Sequence, residues 1–393
     1  MAELRLPDGV GLKNPEHLYI GGRWVTPHGG RIEVIDPNTE TLTARVAEAD
    51  NSDMDAAVAA ARDAFDRGPW PTLPVAERAK YLRAMAKHLE GRAEELINAF
   101  IAQTGALIGL ARGMIPGATA TFETYAKLGE TFDWISKPPT GYPGSVALVL
   151  REPVGVVAAI APWNAPYAIM TQKIAPALIA GCTVIMKPAP ETPLEAYFIA
   201  EAAHAVGLPP GVLNLVPSHR EAADHLVCNA GVDKISFTGS TVAGRRIASV
   251  AGERIARVTL ELGGKSPAVI LDDFPTEAAA PLLARTITVM TGQVCAMLSR
   301  AIVPANRHDE IAEAIAAEMR RVKIGPSRDP STEMGPLAME RQRERVEGYI
   351  EAGLAEGATL VCGGKRPAHL PRGYFVEPTL FTNVRPDSRI AQE

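Results

Sequence analysis

The chain has 393 residues, 47% hydrophobic and 22% charged, with a formal net charge of −5. That length supplies core for two or three domains, and the mild acidity gives no electrostatic footprint for nucleic acid. The four cysteines, Cys182, Cys228, Cys295 and Cys362, lie far apart without a CxxC pair, which argues against a disulfide scaffold or a zinc site and fits a reducing compartment.

The first residues, MAELRLPDGVGLK, hold no apolar run, so no secretory signal is expected. LYIGGRWV and RIEVIDP read as short strands. Ser52 or Asp53 can cap a helix to Phe65, with Met54, Val58, Ala61 and Phe65 near helical spacing. A helical region follows from Val75 to Thr104, broken near Gly91, and another helix is predicted over Ala118 to Trp134. SKPPTGYPG, rich in Pro and Gly, reads as a linker or arm. Pro153 to Gln172 carries no charge, but Pro153, Pro162, Pro166, Gly155 and Asn164 suit a membrane helix poorly. It reads as a buried strand followed by a tight loop.

Short apolar runs then alternate with helices. VGVVAAI (154–160), TVIMK (183–187), VLNLV (212–216), DKISF (233–237) and PAVIL (267–271) are strand candidates, and 194–206, 220–229 and 241–252 are helical. This alternation indicates βαβ units and a mostly parallel, buried sheet. A second α/β region follows, with helices at 276–290, 308–322 and 338–356 and a strand at Arg300–Pro304. Open parallel sheets bind ligands at the carboxyl ends of their strands, so the loops there are the places for chemistry.

Each such loop has two readings. APWNAP holds Asn164 between prolines, as an amide donor for developing negative charge or as a local turn former. Lys187 ends its strand, to reach a ribose or phosphate or to be solvated. Gly239, Ser240 and Thr241 open a helix, to face a phosphate or to cap it. Glu261, between Leu260 and Leu262, is a general base in apolar surroundings or a solvated edge residue. Cys295 is a loop nucleophile or a small buried hydrophobe. Cys182, Cys228 and Cys362 read as structural.

In order and spacing, PWN (162–164), KPAPETP (187–193), FTGST..G (237–244), ELGGKSP (261–267), GQVC (292–295) and EPTLF (377–381) resemble the aldehyde dehydrogenase superfamily. Glu261 and Cys295 lie 34 positions apart, as the family's base and nucleophile do. The resemblance runs from LYIGGRWV to the last residue. It implies an α/β fold: a Rossmann-type cofactor domain (1–136 and 153–260), an oligomerisation arm (137–152) and a catalytic α/β domain (261–393). It implies NAD(P)-dependent oxidation of aldehydes to carboxylic acids, in a cytoplasmic homodimer or homotetramer, with no metal, nucleic acid or membrane partner. Cys295 is then the nucleophile. Asn164 and the Cys295 N–H hold the oxyanion, and Glu261 activates water. Pro162, Trp163, Lys187, Gly239, Ser240, Thr241, Gly244 and Leu262 line the dinucleotide, with the glycines giving it close backbone approach. Tyr167, Met170 and Val294 suggest a largely apolar tunnel.

Three departures from the family pattern stand out. Pro190 replaces the Glu that binds the adenosine ribose in many NAD-preferring members, with Glu191 adjacent; NAD is expected and NADP is possible. Met290 stands where members often carry Asn, which reads as repacking around the site. The sequence ends at RIAQE, where the family usually continues with a Glu-Ile-Phe-Gly-Pro-Val run, so a C-terminally truncated catalytic domain is expected. Two other readings are an acylating enzyme that passes the thioester to coenzyme A, against which Glu261 argues, and a catalytically impaired dinucleotide-binding fragment.

Overall fold

The apolar runs form one seven-stranded sheet in the computed structural model, which describes residues 6–141 and 143–393. Its order is Arg257–Leu262, Lys234–Gly239, Val156–Ile160, Thr183–Lys187, Leu213–Leu215, Leu18–Ile20 and Arg23–Val25. The first five run parallel. The last two form an antiparallel hairpin whose turn residues, Gly21 and Gly22, have φ of 59° and 78°. A two-residue hairpin turn with both φ positive matches the strand twist, and glycine takes it without steric cost.

Side chains along the central strands alternate between two cores, as the pleat requires. Val156, Ala158, Ile160, Ile185, Ile235 and Phe237 face the helices Asn51–Asp66, Arg220–Cys228 and Thr241–Glu253. Val157, Ala159, Val184 and Met186 face Val75–Glu90, Ala93–Thr104, Ile108–Thr131, Pro166–Ile179 and Leu194–Ala205. Burial on both faces is why these strands read as continuous apolar runs. Strand order reverses between Val156–Ile160 and Lys234–Gly239, so the crevice for a ligand lies at the carboxyl ends of those two strands.

Several local expectations are corrected. Asp50 caps the helix predicted to start from Ser52 or Asp53; Asp53 is its reciprocal partner in a capping box. The helix predicted over Ala118 to Trp134 spans Ile108–Thr131 and runs through Pro116. The tight loop after Val156–Ile160 ends at Ala165. From there Pro166 opens the helix Pro166–Ile179, because a proline at the first helical position sacrifices no hydrogen bond.

The region beyond Leu262 is built separately. Pro267–Val269 and Arg300–Ile302 pair in parallel, and Thr276–Thr288 packs on His308–Arg321 through Leu283, Ile311 and Ile315. Glu340–Ala355 and the hairpin of Thr359–Cys362 with Leu380–Thr382 follow. Ile135–Ser136, just before the predicted arm, pairs with Val149–Leu150 within it, and Val146, Leu148 and Leu150 are exposed.

Candidate active site

The loop carrying Pro162, Trp163 and Asn164 leaves the sheet at the crevice, and all three residues are half-buried. Asn164 is not spent on a local turn. Its Nδ2 donates to the Gln293 carbonyl at 2.7 Å, joining this loop to the segment that holds Cys295.

That segment follows the helix Thr276–Thr288 with three consecutive left-handed residues: Met290 (φ 49°, ψ 32°), Thr291 (φ 57°, ψ 38°) and Gly292 (φ 75°). This conformation is costly for a β-branched residue such as Thr291, so the surroundings must hold it. Thr291 Oγ1 donates to the Gly335 carbonyl at 2.9 Å. Gln293 Nε2 donates to the Met290 carbonyl at 2.9 Å, and Gln293 Oε1 accepts from the Ala338 N–H at 3.0 Å. Met290 packs in the hydrophobic core, as repacking requires, and its left-handed backbone, which asparagine tolerates far better than methionine, makes the departure conformational as well. Cys295, two residues beyond Gln293, is exposed, as a nucleophile must be.

Glu261 lies on the edge strand Arg257–Leu262, paired with Thr238 in the next strand. It is exposed, so the apolar setting expected for it is absent; an edge strand has cover on one side only. Gly263 and Gly264 continue towards the nucleophile, and a Cβ on Gly264 would lie 3.7 Å from the Cys295 carbonyl. Sequence reasoning missed Lys173, which is buried and donates to Ser236 Oγ at 3.3 Å. Burial pushes its pKa down to about 8, and the Glu261 carboxylate acts in the opposite direction. The available signal was a lone charge immediately after the uncharged stretch 153–172.

Lys187 is 7% exposed, which overturns the solvated reading of that strand end. Burial lowers its pKa to about 8, and the Glu191 carboxylate partly opposes this. Among the described residues no side chain accepts a hydrogen bond from its Nζ, so this cation fits a polar ligand laid along the crevice. The Glu191 carboxylate receives Arg341 Nη2 at 2.7 Å. Ser240 caps Thr241–Glu253 by accepting from the Ala243 N–H at 3.3 Å. Thr241 opens that helix, whose first N–H groups suit an anion.

A Cβ on Gly239 would meet the Phe237 ring at 2.5 Å, and one on Gly244 would meet Leu262 Cδ2 at 2.7 Å. Both make room for the chain's own side chains, and Leu262 is thereby seated on the helix behind Ser240. Of the expected tunnel residues, Met170 is core, and Tyr167 is buried with its hydroxyl 2.7 Å from Thr119 Oγ1. Val294 packs partly buried against the same core. A small apolar hollow is lined by Phe100, Met114, Ala118, Ala165 and Tyr167, and no titratable side chain except the Tyr167 phenol borders it. His28, Asp50 and Asp53 cluster elsewhere, where their carboxylates serve the capping box and the His28 ring.

The model of the aldehyde dehydrogenase family matches residues 24–393. Geranial dehydrogenase of Castellaniella defragrans is 43% identical over 96% of this chain and 79% of its own. An aldehyde dehydrogenase of Mycobacterium tuberculosis, solved with NAD+, superposes with a TM-score of 0.93 at 42% identity, over 98% of this chain and 79% of that one. A cysteine-to-alanine variant of aldehyde dehydrogenase C from Pseudomonas syringae, solved with NAD+ and octanal, gives 0.92 at 37% identity, over 98% and 78%.

Proposed function

The chain belongs to the aldehyde dehydrogenase family, and we propose that it oxidises apolar aldehydes to carboxylic acids with NAD+ through a thioester on Cys295. The observation that carries the site assignment is the 2.7 Å bond from Asn164 to Gln293, which ties the amide donor to the nucleophile loop across 129 residues. Octanal in one relative's crystal and geranial in another's name are both hydrocarbon-chain aldehydes.

The residues divide the work. The Cys295 thiolate attacks the aldehyde carbon, and the Asn164 amide and the Cys295 N–H take the negative charge on oxygen. Lys187, Trp163 and Ser240 would hold NAD+, which would supply the acceptor for the hydride that departs as the thioester forms. Glu261 then takes a proton from water as its oxygen attacks the thioester, and the acid leaves as Cys295 regains its thiolate. With Glu191 held by Arg341, no free carboxylate at that turn repels a second ribose phosphate, which makes NADP+ a second acceptor to assay.

The cofactor domain in this reading is 1–136 with 153–260, and the catalytic domain begins at 261. The exposed apolar hairpin around 137–152 is the arm that joins subunits into a homodimer or homotetramer. Among the described residues no helix is long and apolar enough to cross a membrane, and the cytoplasm is the proposed location. The test is the absorbance of reduced nicotinamide with NAD+ or NADP+ and a panel of aldehydes. Cys295→Ala is expected to abolish turnover of octanal. Residual turnover near the parent rate would remove Cys295 from the mechanism, and a preference for charged aldehydes would remove the apolar substrate class.

A further inference from the structure

We propose that Gln293 is the positioning residue of the oxyanion site, fixing Asn164 relative to Cys295; this rests on the reading of Asn164 and Cys295 just given. Three bonds carry it. The Gln293 carbonyl receives the Asn164 amide at 2.7 Å, which leaves that amide's second N–H for the substrate oxygen. The Gln293 side chain fixes that carbonyl from both ends, donating to the Met290 carbonyl at 2.9 Å and accepting from the Ala338 N–H at 3.0 Å. Ala338 belongs to the buried segment Gly335, Pro336, Leu337 and Ala338, so the anchor is rigid. The left-handed turn at Met290, Thr291 and Gly292 is the other end of the clamp, and Thr291 ties it to the same segment through the Gly335 carbonyl.

Gln293 is two residues from the nucleophile and acts on it through backbone position and through Asn164, without touching substrate. An amide side chain is the right chemistry, because one end must donate to a carbonyl and the other must accept from an N–H. Glutamate keeps the acceptor and loses the donor, while alanine loses both. Misplacement of an oxyanion donor acts on the steps that build charge on oxygen and leaves thiolate alkylation alone, since alkylation builds no oxyanion.

The experiment measures three rates for Gln293→Ala: octanal oxidation, p-nitrophenyl acetate hydrolysis without cofactor, and iodoacetamide alkylation. Alkylation is followed at the Cys295 peptide by mass spectrometry, because Cys228 is exposed as well. Oxidation and ester hydrolysis are expected to fall together by about tenfold or more, with alkylation within about twofold of the parent. Gln293→Glu is expected to recover part of the loss. In an Asn164→Ala background, Gln293→Ala is expected to add less than about twofold, because the residue it positions is gone. A parallel fall in alkylation would mean that the loop has collapsed, and an undiminished loss in the Asn164→Ala background would mean that Gln293 acts elsewhere. Either result overturns the proposal. Ester hydrolysis and oxidation that both survive Cys295→Ala would instead overturn the underlying site.

Discussion

Two strands of similar composition sit in opposite settings. Thr183–Lys187 is buried at every position, and Arg300–Ile302 is exposed at every position. The difference separates two ways of building a site. On the buried side, burial sets the properties of a polar group, as the lowered pKa of Lys187 shows. On the exposed side, beyond Leu262, packing is thin, and the nucleophile loop is held by named hydrogen bonds around a left-handed turn. The first half relies on burial, and the second on hydrogen bonds.

The largest expected effect tests the exposed half. Glu261→Gln should lower steady-state oxidation by about 10²–10⁴-fold while leaving a single-turnover burst of reduced nicotinamide. Loss of the burst would place Glu261 before the thioester, and retained turnover with added coenzyme A would mark an acylating enzyme. Next comes Lys187→Met on the buried side. The folded-state pKa of Lys187, about 8, lies below the ordinary 10.5. The charged form therefore costs stability below pH 8, and the cost fades as pH rises from 8 to 10.5. The variant should gain roughly 3 kcal/mol at pH 7, seen as a higher Tm whose advantage shrinks with alkaline pH, and should bind NAD+ more weakly by fluorescence titration. Unchanged affinity would break the link between buried charge and cofactor.

Gly244→Ala should cost about 1–3 kcal/mol by thermal denaturation, since its Cβ would overlap Leu262 in the buried core. A neutral outcome would show that Leu262 is free to move. The smallest effect belongs to the exposed pair that links the halves. Arg341→Ala removes its bond to Glu191 and should cost about 0.2–1 kcal/mol, less at high salt. A larger loss would show that the halves lean on each other more than their burial indicates.

The sheet and its flanking helices were legible because strands buried on both faces leave unbroken apolar runs. Pro166–Ile179 was not, because Pro153, Pro162 and Pro166 with Gly155 and Asn164 made 153–172 read as a strand and a tight loop, and only the position of Pro166 at a helix start reconciles them. Depth was also hidden: Val269 and Ile302 have the composition of core strands and are exposed. For the site, no local pattern indicated Asn164, Glu261 or Cys295 alone; their order and spacing together did. Their coupling depends on Gln293, whose partners at 164 and 338 no local pattern connects. Lys173 and Lys187 needed the structure for a different reason, since burial decides what a lysine is for and a strand end does not reveal it.

The clamp on the nucleophile loop also bears on how the chain folds. Cys295 takes its setting from residues near 164 and near 335–338, so the loop can close only after segments far apart in sequence have docked. Contacts of such separation carry a high entropy of closure and form late. A chain still emerging from the ribosome thus carries Cys295 without the partners that hold its loop, and that setting is withheld until both halves are assembled. Refolding followed by enzymatic turnover should accordingly lag refolding followed by helical ellipticity.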